Sequence, residues 1–366
     1  MKIGILTFHC AANYGAVLQT YCLQEVLKKM GHDVYVIDYR PKYLIEPYKI
    51  FSYYSDLYSS YFAKIKGFIR AFLVAPIRWK RNRAFSKFIN HYLNLYQLDL
   101  NNESNDFDAF VFGSDQIWNP KLTDGFDKVY LGDFPAAKGK KLIAFAASAG
   151  SVLNLSKGSI DYFLYRLKCF DKIFVREKSL ADYINQNISH VAEVVLDPVM
   201  LGGMPVLNTL LSTTHKKTSD RPYLLLFQLY RYDEVAEYAV NFANKKGFDI
   251  VELAAMEESL FNRKMKQTLC MEELLWYIEQ SSYIITTSYH ITVLAILLKK
   301  QFNTVSMARD FDERALLLLK GLSLNDRMIT LDSIDNGENI DYSKVESLRT
   351  KKVYEVIELL KNIIIV

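Results

Sequence analysis

The most informative polar segment follows the apolar stretch 110–112, where Ser114, Asp115, Trp118 and Asn119 occur within a few residues. An indole ring can stack on the apolar face of a sugar, while amide and carboxylate groups bind its hydroxyls. We therefore interpret these four side chains as candidate sugar ligands. The structural alternative for Asp115 is a cap at the start of a helix.

A second polar segment contains Ser288 and His290, at the point where a β-like pattern gives way to a helical one. The positive end of a helix dipole disfavours an imidazolium in the first turn, and an anion bound beside it would restore that charge. His290 is therefore a candidate acid, base or phosphate ligand. The alternative is a histidine with a structural role only.

Arg176 and Glu177 stand directly after the predicted strand 171–175. A guanidinium in that position can bind a carboxylate or a phosphate through two parallel hydrogen bonds. The alternative is a salt bridge between Arg176 and a neighbouring acid.

The loop 9–15 contributes Asn13 and Tyr14, which we interpret as further candidate ligands for sugar hydroxyls. The loop holds one glycine and matches neither the G-x-G-x-x-G fingerprint nor the P-loop, so no motif supports a dinucleotide or a nucleoside triphosphate. The alternative for Asn13 is a cap of the helix that follows.

The elements that must position these residues alternate between strands and helices. A strand at 2–8, a helix at 15–30 and a strand at 34–38 form a βαβ unit, which starts a parallel sheet. Further strands are predicted at 107–112, 141–146, 171–175 and 193–196, and a second series at 223–228, 248–253, 282–286 and 302–306. Polar residues follow the carboxyl ends of these strands, where parallel α/β sheets bind ligands. Asp197 is one of them.

Two such series predict an α/β protein with two doubly wound domains. We place an N-terminal Rossmann-like domain at 1–205 and a C-terminal one at 222–341. A polar stretch containing glycine and proline supplies a linker at 206–221, and a last helix within 342–366 is expected to pack back on the N-terminal domain.

The segment 57–98 is a basic helical insertion with eight Lys and Arg residues and no Asp or Glu. Pro76 is expected to divide it into two helical pieces, the first with an apolar stripe. A basic amphipathic helix can lie on an anionic membrane surface. The alternative is a helical cover on the first domain with a solvated basic face.

Composition sets the remaining expectations. The 366 residues carry a formal net charge of +4, which is weak support for an anionic partner, and we expect no nucleic acid. The apolar run at the N-terminus is too short for a signal peptide, and no run reaches the roughly 18 residues of a membrane span. We therefore expect a cytoplasmic protein, at most peripheral at the inner face of the plasma membrane. The four cysteines have no C-x-x-C spacing, so no zinc site is expected.

Several ordered segments between Gly4 and Leu322 resemble the polysaccharide pyruvyl transferase family. The matching segments are 4–9, 13–19, 38–41, 112–119, 175–179, 196–198 and 287–292, followed by Arg314 and Gly321. Many relatives carry glycine directly after the histidine of the Ser-x-x-His segment, whereas this chain has Ile291.

The resemblance implies a GT-B-like fold, with two Rossmann-type domains and an active site in the cleft between them. It implies phosphoenolpyruvate as donor, a pyruvate ketal on a sugar or lipid-linked oligosaccharide as product, and no cofactor or metal. His290 and Asp115 would be catalytic. Arg176, Ser288 and His290 would bind the donor, with Arg309 or Arg314 as a further basic residue. Two alternatives stay open: a GT-B glycosyltransferase using a nucleotide sugar, and a non-catalytic glycan-binding protein.

Overall fold

A computed structural model describes residues 1–51, 61–150, 156–189, 191–214, 221–254, 265–307, 312–332 and 338–364. Its N-terminal half is built on one parallel sheet. The strands are β1 (Lys2–Leu6), β2 (Asp33–Ile37), β3 (Leu95–Tyr96), β4 (Ala109–Phe112), β5 (Lys141–Ala147), β6 (Lys172–Val175) and β7 (Ala192–Val194). Their order is β3-β2-β1-β4-β5-β6-β7, which extends the Rossmann arrangement by one strand. The short β3 was not predicted from the sequence.

The structure describes six α-helices in this half. They are α1 (Tyr14–Lys29), α2 (Lys42–Ile45), α3 (Tyr61–Tyr92), α4 (Lys157–Leu167), α5 (Lys178–Asn187) and α6 (Pro198–Leu211). Helix α1 is buried along most of its length, with Val17, Leu23 and Leu27 in the core. It ends before Gly31, whose φ of +90° is a conformation that glycine adopts without strain.

The C-terminal half contains a second parallel sheet. Its strands are β8 (Tyr223–Gln228), β9 (Asp249–Ala254), β10 (Tyr283–Thr286), β11 (Gln301–Val305) and β12 (Met328–Ile329), in the order β12-β11-β10-β8-β9. Its helices are α7 (Asp233–Lys246), α8 (Met271–Gln280), α9 (Tyr289–Leu297) and α10 (Asp312–Gly321), and α11 (Tyr342–Ile364) follows. Two doubly wound parallel domains with a cleft between them confirm the predicted GT-B-like fold.

Each sheet has a point where the strand order reverses, and ligands bind at such switch points in open α/β sheets. In the first sheet this point lies between β1 and β4, where the Thr7 hydroxyl donates a hydrogen bond to the Ser114 carbonyl at 2.7 Å. In the second it lies between β8 and β10, where the Leu229 N–H donates to the Thr287 hydroxyl at 3.0 Å. Residues from both points line the same cleft.

The two halves share one apolar core, which joins α1 and α6 to α8 and α9. Helix α6 continues into the stretch interpreted as the linker because Val206, Leu207 and Leu210 are buried in that core. Residues 215–220 of the linker lie outside the described residues, and the division of the chain at 205 and 222 stays a prediction. Helix α11 contacts α6 and also reaches α9 through Tyr342, whose hydroxyl donates to the Ala295 carbonyl at 3.3 Å.

The expectation that Pro76 divides the basic segment into two helices is wrong, because α3 is one helix with Pro76 inside it. A proline in a helix leaves the carbonyl four residues earlier, here that of Phe72, without its donor. Pro76 and Phe72 both lie on the exposed side of α3, away from the apolar core. Among the described residues, no helix combines the length and apolarity that crossing a bilayer would require.

Candidate functional site

The cleft between the domains has an empty volume of about 760 Å³ with its open mouth included. Its polar and aromatic lining comes from Asn13, Tyr14, Asp115, Gln116, Phe227, Ser288, Tyr289, His290 and Arg314. The cleft therefore collects side chains that the sequence had marked as separate candidates in both domains.

Helices α1 and α9 meet across this cleft at their N-termini. A methyl group placed on Gly15, in the first turn of α1, would clash with the imidazole of His290, in the first turn of α9. Gly15 therefore lets the two helix ends approach each other. Sequence reasoning missed this role, although Gly15 was the one glycine of its loop.

His290 is held among charges of both signs. Its Nε2 lies 3.8 Å from Asp197 Oδ2 and has no hydrogen-bond partner among the described residues. Burial lowers the pKa of His290, and the cations Arg176 and Arg314 add to that, against the opposing carboxylates of Asp197 and Asp115. The ring is therefore neutral at pH 7 until a bound anion favours its protonated form.

Arg176 joins the carboxyl ends of three strands. Its Nη1 donates to Asp197 Oδ2 at 3.1 Å and to Gln19 Oε1 at 3.4 Å, and its Nη2 donates to Asp115 Oδ1 at 3.3 Å. The side chain is 1% exposed. Burial lowers the pKa of Arg176, but the carboxylates of Asp115, Asp197 and Glu177 have the larger combined effect and raise it. The salt bridge considered as the alternative is thus present.

Asp115 presents its carboxylate from a left-handed backbone conformation with φ of 80°. Its Oδ1 also accepts a hydrogen bond from the Gln116 N–H at 2.8 Å. Burial would raise the pKa of Asp115, but Arg176, His290 and Arg314 outweigh that effect and hold the pKa below its usual value. An ionised carboxylate at the cleft can accept a proton from a hydroxyl.

Arg314, on α10, is a buried cation of the site that has no hydrogen-bonded ion-pair partner among the described residues. It is 7% exposed, and its Nε lies 3.6 Å from Glu177 Oε1, which also accepts a hydrogen bond from Ser148 Oγ. Its guanidinium donates no hydrogen bond to any of the described residues. Burial and the nearby Arg176 lower the pKa of Arg314. Because buried donors normally have partners, this group is suited to an anion.

Tyr289 lies between the two arginines. The centre of its ring is 6.0 Å from Arg176 Cζ and 5.6 Å from Arg314 Cζ, within the range of cation–π attraction. The ring thus fixes the spacing of the two guanidinium groups. Tyr289, Asp197 and Glu177 were not among the predicted site residues, although Asp197 and Glu177 had been noted as polar residues that follow strands.

The two helix ends in the cleft are capped differently. Asn13 Oδ1 accepts hydrogen bonds from the N–H groups of Gly15 at 2.9 Å and Ala16 at 3.3 Å, so Asn13 has the capping role considered as its alternative. At α9 the Ser288 side chain makes no capping bond. The N–H groups of that first turn are therefore open to a ligand.

Trp118 does not reach the cleft, and its expected stacking on a sugar is wrong for this structure. The side chain is 1% exposed, and its Nε1 donates to the Tyr130 carbonyl at 2.9 Å. The ring packs edge-on against Phe163 and Phe170. Burying a large aromatic surface outweighs keeping it available, so Trp118 belongs to the core.

The other predicted acceptor residues differ in access. Ser114 is fully buried, and Asn119 Nδ2 donates to Gln116 Oε1 at 2.6 Å, behind the cleft wall. Tyr14 lines the cleft with its ring, while its hydroxyl donates to the Leu269 carbonyl at 2.8 Å and burial raises its pKa to about 12. Arg309 lies outside the described residues. Among those residues, no group of three or more His, Cys, Asp or Glu side chains is placed to hold a metal ion.

The family model for polysaccharide pyruvyl transferases matches residues 13–307. None of the curated protein sequences matches this chain significantly. Solved structures with similar coordinates include the UDP-GlcNAc 2-epimerase from Neisseria meningitidis bound to UDP-GlcNAc, at 10% identity and a TM-score of 0.48 over 98% of this chain and 100% of that one. The S. aureus MnaA–UDP structure has 9% identity and a TM-score of 0.47 over 96% and 87%. The E. coli heptosyltransferase WaaC has 9% identity and a TM-score of 0.38 over 96% and 99%.

Proposed function

This chain belongs to the polysaccharide pyruvyl transferase family, and from that premise we propose that it transfers the pyruvyl group of phosphoenolpyruvate to two hydroxyls of a sugar. The product is a pyruvate ketal on a polysaccharide or its lipid-linked precursor, with release of phosphate. One observation carries the proposal most directly. Arg314, His290 and the uncapped end of α9 form one wall of the cleft, and all three are suited to an anion.

The donor has two anionic groups. The wall formed by Arg314, His290 and the uncapped end of α9, which we call the open wall, offers two places for them. We assign the phosphate to the first turn of α9, beside Ser288 and His290, because a helix N-terminus favours phosphate. We assign the carboxylate to Arg314, whose guanidinium geometry suits it. Arg176 is already engaged by Asp115 and Asp197, so in this assignment it positions those carboxylates rather than taking the donor's charge.

The chemistry needs an acid and a base, and the cleft supplies both. The bound phosphate raises the pKa of His290, which then donates its proton to the methylene carbon and leaves an oxocarbenium-like centre at C2. The first sugar hydroxyl attacks C2 and gives its proton to Asp115. The C2–O bond to phosphate then breaks, and the leaving phosphate takes that proton. The second hydroxyl closes the ketal and returns a proton to His290.

The acceptor would approach from the wall formed by the N-terminal domain. Asp115, Gln116 and Asn13 line that side of the cleft. Ser114, Trp118 and Asn119 would act indirectly, since their buried packing and hydrogen bonds support the loop that carries Asp115.

The test is incubation of the full chain with phosphoenolpyruvate and candidate glycans, lipid-linked glycans among them. We expect one phosphate released for each glycan that gains the mass of pyruvate less water. Saturation by a nucleotide sugar with glycosyl transfer, and no response to phosphoenolpyruvate, would assign the protein to the glycosyltransferases instead. Glycan binding with no phosphate release on any acceptor would favour a non-catalytic protein.

A further inference from the structure

Helix α3 exposes a stripe of large apolar side chains in its first half. The exposed fractions are 41% for Ile65, 62% for Phe68, 50% for Ile69, 63% for Phe72 and 41% for Leu73. Spacings of three and four residues place these side chains on one face of the helix. We call this set the α3 stripe. The expectation that this segment is simply a cover packed on the first domain does not account for it.

The opposite face of the same half is also apolar. Ala71, Val74 and Ala75 are buried there. A large exposed apolar patch marks a site of interaction. Phe51, itself 63% exposed, extends the patch, with its ring centre 6.1 Å from that of Phe72.

The charged side chains of α3 itself are all basic. Helix α3 contains no Asp or Glu, and Arg70, Lys80, Arg83 and Lys87 are exposed along it. Trp79 is 52% exposed, with Arg83 Cζ 5.4 Å from its ring centre. Apolar side chains, a partly exposed tryptophan and flanking cations are the composition of helices that lie in the interface of an anionic bilayer.

We propose that the α3 stripe docks the protein on the surface of an anionic lipid bilayer, with its apolar side chains among the acyl chains and its cations at the headgroups. A second copy of the chain fits this surface poorly. A symmetric dimer would bring the basic patches of both copies together, since the same patch meets itself. An acidic protein surface is the other occupant that the charges would accept, and the experiment separates it from lipid.

The second half of α3 connects the docking surface to the cleft. Arg81 is 1% exposed and donates hydrogen bonds to the Ala12 carbonyl at 3.1 Å and the Gln267 carbonyl at 3.3 Å. These carbonyls belong to the loop before α1 and to the C-terminal domain. Docking would therefore hold the cleft near the lipid surface, where a lipid-linked acceptor is found. This last step rests on the proposed function, whereas the docking itself does not.

Co-sedimentation with vesicles tests the docking. We expect binding to vesicles containing phosphatidylglycerol at low salt, little binding to pure phosphatidylcholine, and loss of binding at high salt as charges are screened. The double variants Phe72→Ser with Leu73→Ser and Lys80→Glu with Arg83→Glu should each lower partitioning about tenfold or more. Matched controls on α4 and at the residue that caps its C-terminus, Tyr165→Ser (62% exposed) and Lys157→Glu with Lys168→Glu, should bind as the parent does.

Tryptophan fluorescence shows whether the exposed face of α3 beside the stripe enters the lipid. Trp79 is exposed, whereas Trp118 and Trp276 are 1% and 8% exposed. A blue shift on anionic vesicles that disappears in Trp79→Phe is the expected result. No binding at low salt, equal loss in the α4 controls, or a dimer in solution that Phe72→Ser dissociates would overturn the proposal. Binding only to an acidic protein would do the same. Normal ketal formation on a water-soluble glycan would then leave the proposed function standing.

Discussion

Helices α1 and α9 start at the same cleft, face each other and begin in different ways. At α1 the Asn13 side chain accepts two backbone hydrogen bonds, so the helix end is satisfied by the protein itself. At α9 the Ser288 side chain makes no such bond, although its residue occupies the equivalent position. Gly15 and His290 are the residues at which the two ends touch.

The two arginines repeat this difference. Arg176 has three hydrogen-bond acceptors within 3.4 Å, whereas the nearest acid to Arg314 is 3.6 Å away. The N-terminal wall of the cleft thus caps its own helix and supplies acceptors to both Nη atoms of Arg176, although Arg176 Nε has no partner. The C-terminal wall leaves the end of α9 uncapped and the guanidinium of Arg314 without an acceptor among the described residues. A ligand binds most favourably to polar groups that have no partner within the protein, because its hydrogen bonds to them do not have to replace existing ones.

The largest expected effect is on catalysis by the open wall. His290→Ala removes the proposed acid, so transfer should fall about 10²- to 10⁴-fold. Phosphate release with phosphoenolpyruvate and acceptor measures it. His32→Ala, which removes a partly buried histidine outside the cleft, is the control and should keep its activity. Near-normal turnover of the His290 variant would remove this residue from the mechanism.

Gly15→Ala tests the contact between the two helix ends. The new methyl group clashes with the His290 ring, so the imidazole must move, and a shift of about 1 Å can cost roughly 100-fold in rate. Gly158→Ala places its methyl group in open space on α4 and is the matched control. Equal rates for both variants would show that the helix ends are not held together during turnover.

The arginines should respond in different ways. Arg314→Ala should weaken phosphoenolpyruvate binding about ten- to 100-fold with little change in stability, since it loses charge-assisted bonds to the ligand. Arg176→Ala leaves the buried carboxylate of Asp197 uncompensated, which costs about 3–5 kcal/mol of unfolding free energy. Urea unfolding and donor titration of both variants measure the contrast. Equal destabilisation by the two substitutions would contradict it.

The sequence predicted the positions of site residues that are set by local secondary structure. Arg176 follows β6 and Ser288 follows β10 as expected, because strand and helix periodicity locates the ends of strands. The sequence did not predict which polar side chains form hydrogen bonds or ion pairs with each other. The Arg176–Asp197 pair joins two strand ends, and the burial of Trp118 depends on packing from α4 and the following loop.

The same limit applies to the fold. The longer strands of both series were identified, since buried parallel strands read as apolar runs. The two-residue strands β3 and β12 were missed because they are too short to leave such a pattern, and their pairings with β2 and β11 are tertiary contacts. Helix α3 continues through Pro76, which is exposed. The rule that proline breaks helices considers only the local sequence and takes no account of whether the proline is exposed.

The smallest expected effects compare the two caps directly. Asn13→Ala should lower the unfolding free energy by about 1 kcal/mol and leave donor affinity unchanged. Ser288→Ala should leave stability unchanged, because no capping bond is lost, and should raise the KM for phosphoenolpyruvate. Urea unfolding and initial rates distinguish the two. A stability loss in Ser288→Ala equal to that in Asn13→Ala would mean that the α9 end is not open.

The most direct test of the central claim is calorimetric titration of the parent protein and of Arg314→Ala with phosphoenolpyruvate. If the open wall of the cleft is the donor site, the parent binds phosphoenolpyruvate saturably and the variant binds it at least about tenfold more weakly. Equal binding by parent and variant, or saturation of the parent by a nucleotide sugar and not by phosphoenolpyruvate, would contradict the account.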